Sequence, residues 1–280
     1  MIFLILAIFS SVILFFLFKE FEKQKINTHN AITFNYLIAC IIGFLLHPTK
    51  NELNSILYAD WLIPTIILGL LFIIMFNIMA ITTQKLGVSI ASTAAKMSLI
   101  IPVLIAFFIN SNTPLSNLKI SGIIIGLISV YFTFKKETKV NKSIIFAIVL
   151  FIGSGLTDAT IDYIRNVYLN EVSEFTLFII TIFFVAFILG LINIFFNKQK
   201  INFKDIKAGL ILGIPNYFSI YFVLKSLEIL GSITVFPVLN IGIVLISCTI
   251  SWLFYKEKIS KINWIGIFLA CISILLILWF

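Results

Sequence analysis

One side chain of this sequence stands out for its chemistry because of its surroundings. Lys96 lies in the stretch STAAKMSLIIPV, residues 92 to 103, and it is the only charged residue between Val88 and Phe108. A charge inside so apolar a stretch costs at least about 2.5 kcal/mol in lipid, so it must face a cavity or a partner. We expect Lys96 to bind a substrate or a coupling ion, with a purely structural role as the alternative.

Three further polar positions are candidates for the same site. A shift of the sequence by 144 residues places Asn240 opposite Lys96, and Thr93 lies on the helical face of Lys96, three residues before it. Close helix packing by a small residue is an equally open role for Thr93. Asp158, in the stretch GSGLTDATIDYIR, is expected to accept a hydrogen bond from a substrate amine, to carry a proton or to balance Lys96.

Uncharged donors and acceptors complete the candidate set, namely Asn77, Asn216 and Tyr221. Each one alone is more typical of a hydrogen bond between helices. Together they supply the few convergent polar groups that a mostly apolar pocket for a small molecule needs.

Spacing also predicts two ion pairs near the ends of apolar runs. Asp162 and Arg165 are three residues apart, as are Lys225 and Glu228. Side chains at this spacing are neighbours on one helical face. We interpret both pairs as features of the membrane boundary, not as ligands.

The elements that carry these residues are long apolar runs. Of the 280 residues 61% are hydrophobic and 11% are charged, whereas about 25% of a soluble domain is charged. Runs of about 20 apolar residues, the length that crosses a bilayer as a helix, recur along the whole chain. The sequence therefore predicts an all-α integral membrane protein whose function lies among its helices.

Short polar segments divide these runs into ten predicted transmembrane spans. They cover residues 2–18, 30–47, 61–83, 88–109, 117–135, 143–165, 174–196, 205–226, 232–255 and 262–280. Proline lies inside spans 4, 8 and 9, as Pro102, Pro215 and Pro237, and is expected to permit bending there.

The ten spans are two copies of a five-span unit. The 144-residue shift overlays them without a gap and matches turn and packing residues, among them Leu86-Gly87 with Leu230-Gly231 and Gly122 with Gly266. Because each copy has an odd number of spans, the second copy must enter the membrane from the opposite side. We predict two inverted five-helix repeats, residues 1–138 and 139–280.

The basic residues predict the orientation of the chain. Loops after spans 1, 3, 5, 7 and 9 carry 15 lysines, the other loops carry four basic residues, and Lys96 is the twentieth. By the positive-inside rule both termini face outward from a cytoplasmic membrane. These clusters explain the net charge of +8, so anionic lipid is an expected partner and nucleic acid is not.

Neither catalysis nor a cofactor is expected. The sequence has no HExxH motif, no glycine-rich nucleotide loop and no metal-ligand spacing among its three cysteines. Without a nucleotide site, uphill transport needs a coupling proton or an exchanged solute.

The segment LEILGSITVFPVLNIGIVLISCTISWLFYKEKISKINWIGIFLACISILLI resembles the EamA-type repeat of the drug/metabolite transporter superfamily. That repeat pairs a proline in its fourth helix with a glutamate just after it and a glycine in the fifth, here Pro237, Glu257 and Gly266. The first half departs from this pattern, since Thr93 and Thr113 stand where Pro237 and Glu257 stand in the second. The resemblance implies ten helices around a central cavity and movement of small metabolites, often outward, including amino acids.

These observations predict a secondary transporter for a small polar or amphipathic metabolite such as an amino acid, working by alternating access. The expected direction of transport is export. A passive channel or facilitator for small solutes is the alternative, because a polar central stripe would serve it equally well.

Overall fold

The structure is a computed structural model that describes residues 1–46, 56, 58–109, 116–135, 143–169 and 172–278. Within these residues the chain forms eleven α-helices and no β-strand. In chain order the helices are α1 (Ile2–Lys23), α2 (Thr28–Leu46), α3 (Leu62–Leu86), α4 (Val88–Met97), α5 (Ile100–Ile109), α6 (Asn117–Phe134), α7 (Ile144–Tyr168), α8 (Val172–Phe196), α9 (Phe203–Leu230), α10 (Ser232–Phe254) and α11 (Lys261–Leu278).

Ten helical segments in the described residues are long and apolar enough to cross a membrane, with mean hydropathy between 1.4 and 2.9. The predicted fold class, an all-α integral membrane protein with ten spans, is confirmed. The fourth span differs from the expected continuous helix, because it consists of α4 and α5 with a break between them.

Some residues used in the sequence analysis lie outside the described residues. These are Lys50, Thr113, Lys136, Lys139, Lys142 and the repeat boundary at residues 138 and 139. The sequence places Thr113 where Glu257 stands in the second half. Of these two residues, the structure describes only Glu257.

The chain separates into two compact units, and each takes segments from both halves of the sequence. Unit 1 contains Met1–Lys19, Ile78–Leu156 and Phe218–Phe280, and unit 2 contains Glu20–Asn77 and Thr157–Tyr217. Under the 144-residue shift the first segment of unit 2 corresponds to residues 164–221, which is nearly its second segment. Each unit thus combines corresponding parts of the two predicted repeats, whose boundary at residue 138 stays a prediction.

In unit 1, α6 packs against α11 in an antiparallel direction. A Cβ added to Gly122 would lie 2.9 Å from Ile277 Cγ1, one on Gly126 would lie 2.5 Å from Ser273 Oγ, and one on Gly266 would lie 2.5 Å from Thr133 N. Residue numbers therefore rise along α6 as they fall along α11. The small residues allow the two backbones to approach closely, as is typical of helix pairs in membranes.

The same unit contains a second antiparallel pair, α4 with α10. Ser89 in the first turn of α4 lies beside Ser251 in the last turn of α10, with their hydroxyl oxygens 2.5 Å apart. Apolar side chains of α1 and of both paired helices form the surrounding core, among them Leu4, Val88 and Ile243. This packing fixes the position of α4 within the unit.

In unit 2, α2 packs antiparallel to α8. A Cβ on Gly43 would lie 2.8 Å from Ile180 Cγ1, and one on Gly190 would lie 2.5 Å from Thr33 Oγ1. At the end of this pair, the buried carboxylate of Asp205 accepts hydrogen bonds from Asn27 N at 3.0 Å and Asn30 Nδ2 at 3.1 Å. Asp205 therefore ties the start of α9 to the start of α2.

Helix bounds and glycine caps recur in the structure at the interval of 144 residues found in the sequence. The bounds of α11 are those of α6 displaced by 144 residues. Gly87 and Gly231, 144 residues apart, cap α4 and α10 with positive φ angles of 101° and 73°, a conformation that favours glycine. Each antiparallel pair described above joins helices that correspond under this shift. The opposite orientation of the two halves stays a prediction.

We predict that Gly266→Ala lowers the free energy of unfolding by about 1 to 3 kcal/mol, the usual effect of overpacking. The added methyl would meet backbone atoms of Thr133 and Phe132, which cannot turn away. Thermal unfolding in detergent, followed by tryptophan fluorescence, measures the change.

Gly242→Ala is the matched control, because its methyl would meet mainly the flexible end of Ile8. This variant should melt close to the unchanged protein. Equal melting temperatures for the two variants would contradict the α6–α11 packing.

Candidate substrate-binding site

The fourth span breaks at Ser98 and Leu99, between the end of α4 at Met97 and the start of α5 at Ile100. Pro102 contributes to the break, because a proline has no N–H for the carbonyl of the residue four before it, here Ser98. Ile101 N donates to Ser98 O instead, at 2.9 Å. Ser98 Oγ donates to the Ala95 carbonyl at 2.7 Å and so satisfies another acceptor at the end of α4.

Lys96 lies in the last turn of α4, immediately before the break, and it is half-buried. It is eight residues past Val88, about 12 Å along the helix axis. The negative end of the α4 dipole stabilises an ammonium group at this position. The structure thus places the isolated charge of the sequence beside the one irregular backbone segment of its span.

A close neighbour of the break is Gly155 of α7, also in unit 1. A Cβ at Gly155 would lie 2.7 Å from Ser98 O and 2.6 Å from Ile101 Cβ. Only glycine permits α7 to approach the broken backbone this closely. Gly155 is one of two glycines in the stretch GSGLTDAT, and a glycine within a span is the sequence signal for a close helix contact.

Thr93 is fully buried, and its hydroxyl donates to the Ser89 carbonyl of its own helix at 2.8 Å. Its face of α4 points toward α10, where Cys248 lies within hydrogen-bond reach of both Thr93 and Ser89. This position favours the packing role of Thr93. Its role as a ligand stays a prediction.

Asn240 and Tyr221 also belong to unit 1 and are half-buried. The contact of Ser89 with Ser251 sets the register of α4 and α10, so Asn240 lies about one helical turn from the level of Lys96. The ring of Tyr221 packs edge-on to Phe218 and Phe222, with centroids 6.1 and 5.7 Å apart. Unit 1 therefore contains Lys96, Thr93, Asn240 and Tyr221.

The other candidate residues, Asn77, Asn216 and Asp158, belong to unit 2. Asn77 Nδ2 donates to Ile73 O at 2.7 Å, so its Oδ1 must be the acceptor for His29 Nδ1 at 3.1 Å. Asn216 is 6% exposed, and Asp158 is exposed on α7.

One predicted ion pair is present and the other is not. Lys225 Nζ lies 2.9 Å from Glu228 Oε2, which confirms that pair. The expected pair of Asp162 with Arg165 is wrong for the described residues, where the Arg165 guanidinium lies over the Phe175 ring, 5.9 Å from its centroid. Arginine stacks readily on aromatic faces, and α8 supplies a ring close to the end of α7.

The carboxylate of Glu257 caps α4, a role that the sequence analysis did not assign. Its Oε1 accepts from Val88 N at 2.7 Å, and its Oε2 accepts from Ser89 N at 3.3 Å and Ser89 Oγ at 3.0 Å. A side chain at Gly87 would lie 2.8 Å from this carboxylate and displace it. A residue of the second half of the sequence thus provides acceptors for the free N–H groups at the start of a helix in the first half.

The sequence analysis missed two of these contacts. Glu257 appeared only as part of a family pattern, and His29, the partner of Asn77, carried no signal beyond its position near the end of a span. Across the described residues no group of three or more His, Cys, Asp or Glu side chains is arranged to hold a metal ion.

Together, the ten spans and the polar break inside the fourth define a polytopic α-helical membrane protein. A sequence model of the EamA-like transporter family matches residues 141–279, the second half of the chain. The chain therefore belongs to the EamA-like transporter family, as its resemblance to the EamA-type repeat predicted. It is accordingly a membrane transporter of the drug/metabolite transporter superfamily, a class of transporters and not of enzymes.

The similarity to known proteins extends through the first half as well. A protein of Haemophilus influenzae, described as an uncharacterized protein, is 29% identical to this chain. The alignment covers 97% of this chain and 95% of that relative. The alignment therefore includes both halves of this chain.

We predict that Glu257→Gln destabilises the protein by about 1 to 3 kcal/mol, since an amide leaves one of the α4 N–H groups without its charged acceptor. Glu228→Gln removes the same charge from an exposed ion pair and should change stability by at most about 1 kcal/mol. Thermal unfolding in detergent compares the two. Equal effects would contradict the capping role of Glu257.

Proposed function

We propose that the protein is a secondary transporter that moves a small polar or amphipathic metabolite, such as an amino acid, by alternating access. The observation that carries this proposal is the break of the fourth span at Lys96. Discontinuous membrane helices form the substrate and ion sites of many secondary transporters, since their ends place partial charges inside the bilayer.

The break favours a substrate that carries both signs of charge. The Lys96 ammonium and the positive N-terminal end of α5 attract a carboxylate. The carbonyl end of α4 and the side chain of Asn240 supply acceptors for an ammonium or amide group. An amino acid or a related compound has this combination of groups.

The remaining candidate residues are proposed to line the substrate path. Asn77, Asn216 and Tyr221 would supply hydrogen bonds, and Thr93 would contribute a hydroxyl close to Lys96. Asp158 is the proposed carrier of a coupling proton, because it is an exposed carboxylate within a span. Exchange of one solute for another is the alternative means of coupling.

Two inverted repeats, residues 1–138 and 139–280, provide the proposed alternating access. The support is the antiparallel packing of corresponding helices, α6 with α11 and α4 with α10 in unit 1, and α2 with α8 in unit 2. A two-fold axis perpendicular to such a helix pair exchanges its members and reverses their direction. Repeats related in this way enter the membrane from opposite sides.

The proposed location is the cytoplasmic membrane, with both termini outside and export as the direction of transport. The lysine-rich ends of successive odd spans meet within unit 1, where Lys19 Nζ donates to the Gln84 carbonyl at 3.0 Å. Asn263 Nδ2 likewise donates to Lys135 O at 2.9 Å. Positive loops on one side are typical of the cytoplasmic face.

The direct test uses purified protein and a panel of amino acids, nucleosides and sugars. Thermal shift identifies a compound that binds, and the labelled compound is then followed in proteoliposomes with an imposed proton gradient. Saturable, gradient-driven accumulation is expected. Entry that only equilibrates and does not saturate would instead support a channel or facilitator.

We predict that Lys96→Ala leaves the protein inserted and folded but reduces flux of the identified compound at least about tenfold, since the anionic group loses its charged partner. The matched control is Lys225→Ala, which removes an exposed lysine and should leave flux within about twofold. Unimpaired flux of the Lys96→Ala variant would remove Lys96 from the mechanism.

A further inference from the structure

Unit 1 contains a basic cavity at the lysine-rich ends of its helices. The cavity has a volume of about 310 Å³ and lies where α3 ends and α4 begins, beside the segment between α10 and α11. The lining residues that matter for its chemistry are Lys19, Lys85, Thr133, Tyr255, Glu257 and Lys258. Three ammonium groups and one carboxylate give it a net charge of +2.

The single carboxylate offsets only one of the three positive charges, and it is held at the start of α4. Both oxygens of Glu257 accept hydrogen bonds from the first turn of α4. Lys85 and Lys258 are exposed at the mouth of the cavity, where Lys85 lies over the Phe146 ring at 4.5 Å. The electrostatic character of the cavity is therefore that of an anion site.

The repeated architecture does not require these lysines. The positions related to Lys19, Lys85 and Lys258 by 144 residues are Tyr163, Ile229 and Pro114. Gly231 caps the start of α10 as Gly87 caps the start of α4, so the same backbone start occurs without the basic residues. The lysines are therefore a feature of this end of unit 1 and not of the repeated fold.

A second and independent observation comes from Thr133. Its side chain is fully buried and lines the cavity, and its Oγ1 has no hydrogen-bond partner among the residues that the structure describes. A buried hydroxyl without a partner costs free energy of the order of a lost hydrogen bond. This hydroxyl lies beside the α6–α11 contact, where a Cβ on Gly266 would be 2.6 Å from it, and it remains available to an acceptor that reaches the Thr133 wall of the cavity.

Large apolar side chains are exposed at the end of α10, next in sequence to the cavity lining. Trp252, Leu253 and Phe254 are 54%, 55% and 76% exposed, and they immediately precede the lining residue Tyr255. A basic pocket with adjoining exposed aromatic and aliphatic side chains matches a molecule with an anionic head and hydrocarbon chains. Basic pockets between transmembrane helices bind lipid head groups in this manner.

We propose that this cavity binds the phosphate group of an anionic phospholipid, with the acyl chains along the outer face of α10. Free inorganic phosphate offers the same charged group without the chains. None of the residues that line this cavity is among those proposed for the transport path.

The test is native mass spectrometry of the detergent-solubilised protein with added phosphatidylglycerol or phosphatidylcholine of equal chain length. The variant is Lys85→Gln with Lys258→Gln, which leaves Lys19 and its bond to Gln84 intact. The matched control is Lys204→Gln with Lys207→Gln, two lysines of unit 2 outside the cavity. A melting curve for each variant in phosphatidylcholine verifies that it is folded.

We expect the unchanged protein and the control to retain phosphatidylglycerol in preference to phosphatidylcholine. The cavity variant should bind it about tenfold or more weakly. Equal losses in the two variants would assign the effect to diffuse surface charge, and equal retention of the two lipids would exclude a selective site. Displacement of phosphatidylglycerol by millimolar inorganic phosphate would overturn the lipid as the occupant.

Discussion

The bonds between the carboxylate of Glu257 and the first turn of α4 are the interaction on which this structure depends. A helix that begins at a membrane boundary exposes N–H groups that water no longer reaches easily, and each needs an acceptor. Glu257 supplies charged acceptors from a position 169 residues away in the sequence. Because Gly87 has no side chain, the carboxylate can reach the helix start. The position of α4, and with it that of Lys96, follows from this contact.

The second constraint is the pairing of corresponding helices. Small residues at the contacts of α6 with α11, and of α2 with α8, permit close antiparallel packing, which replaces the hydrophobic driving force that lipid removes. Each compact unit thereby combines equivalent segments of the two sequence halves. The residues that differ between the two predicted copies, such as Lys96 and Asn240, are the ones to which we assign the proposed substrate chemistry.

The spans were predictable from sequence because length and hydropathy alone decide what can cross a bilayer. The position of the break in the fourth span was not predictable from the sequence. Pro102, Pro215 and Pro237 look alike in sequence, yet α9 and α10 continue through their prolines, whereas the fourth span separates at Ser98. Packing against neighbouring helices decides which proline ends a helix, and Gly155 against the Ser98 carbonyl is one such contact.

Contacts between distant segments were likewise beyond sequence reasoning. The spacing of Asp162 and Arg165 suggested an ion pair, but it carried no information about Phe175 on the next helix. The bond of His29 to Asn77 joins α2 to α3, and periodicity within one helix does not predict it. The charge of Lys96, by contrast, was visible at once, because the apolar residues around it in the sequence mark it before any partner is known.

Lys96 is proposed to lie on a path that water and substrate can reach. Accessibility of a cysteine at this position to a water-soluble methanethiosulfonate reagent tests it most directly, in protein whose Cys40, Cys248 and Cys271 have been replaced. We expect rapid modification of Lys96→Cys and slow modification of Met97→Cys, since Met97 is fully buried. A Lys96→Cys variant as unreactive as Met97→Cys would contradict it.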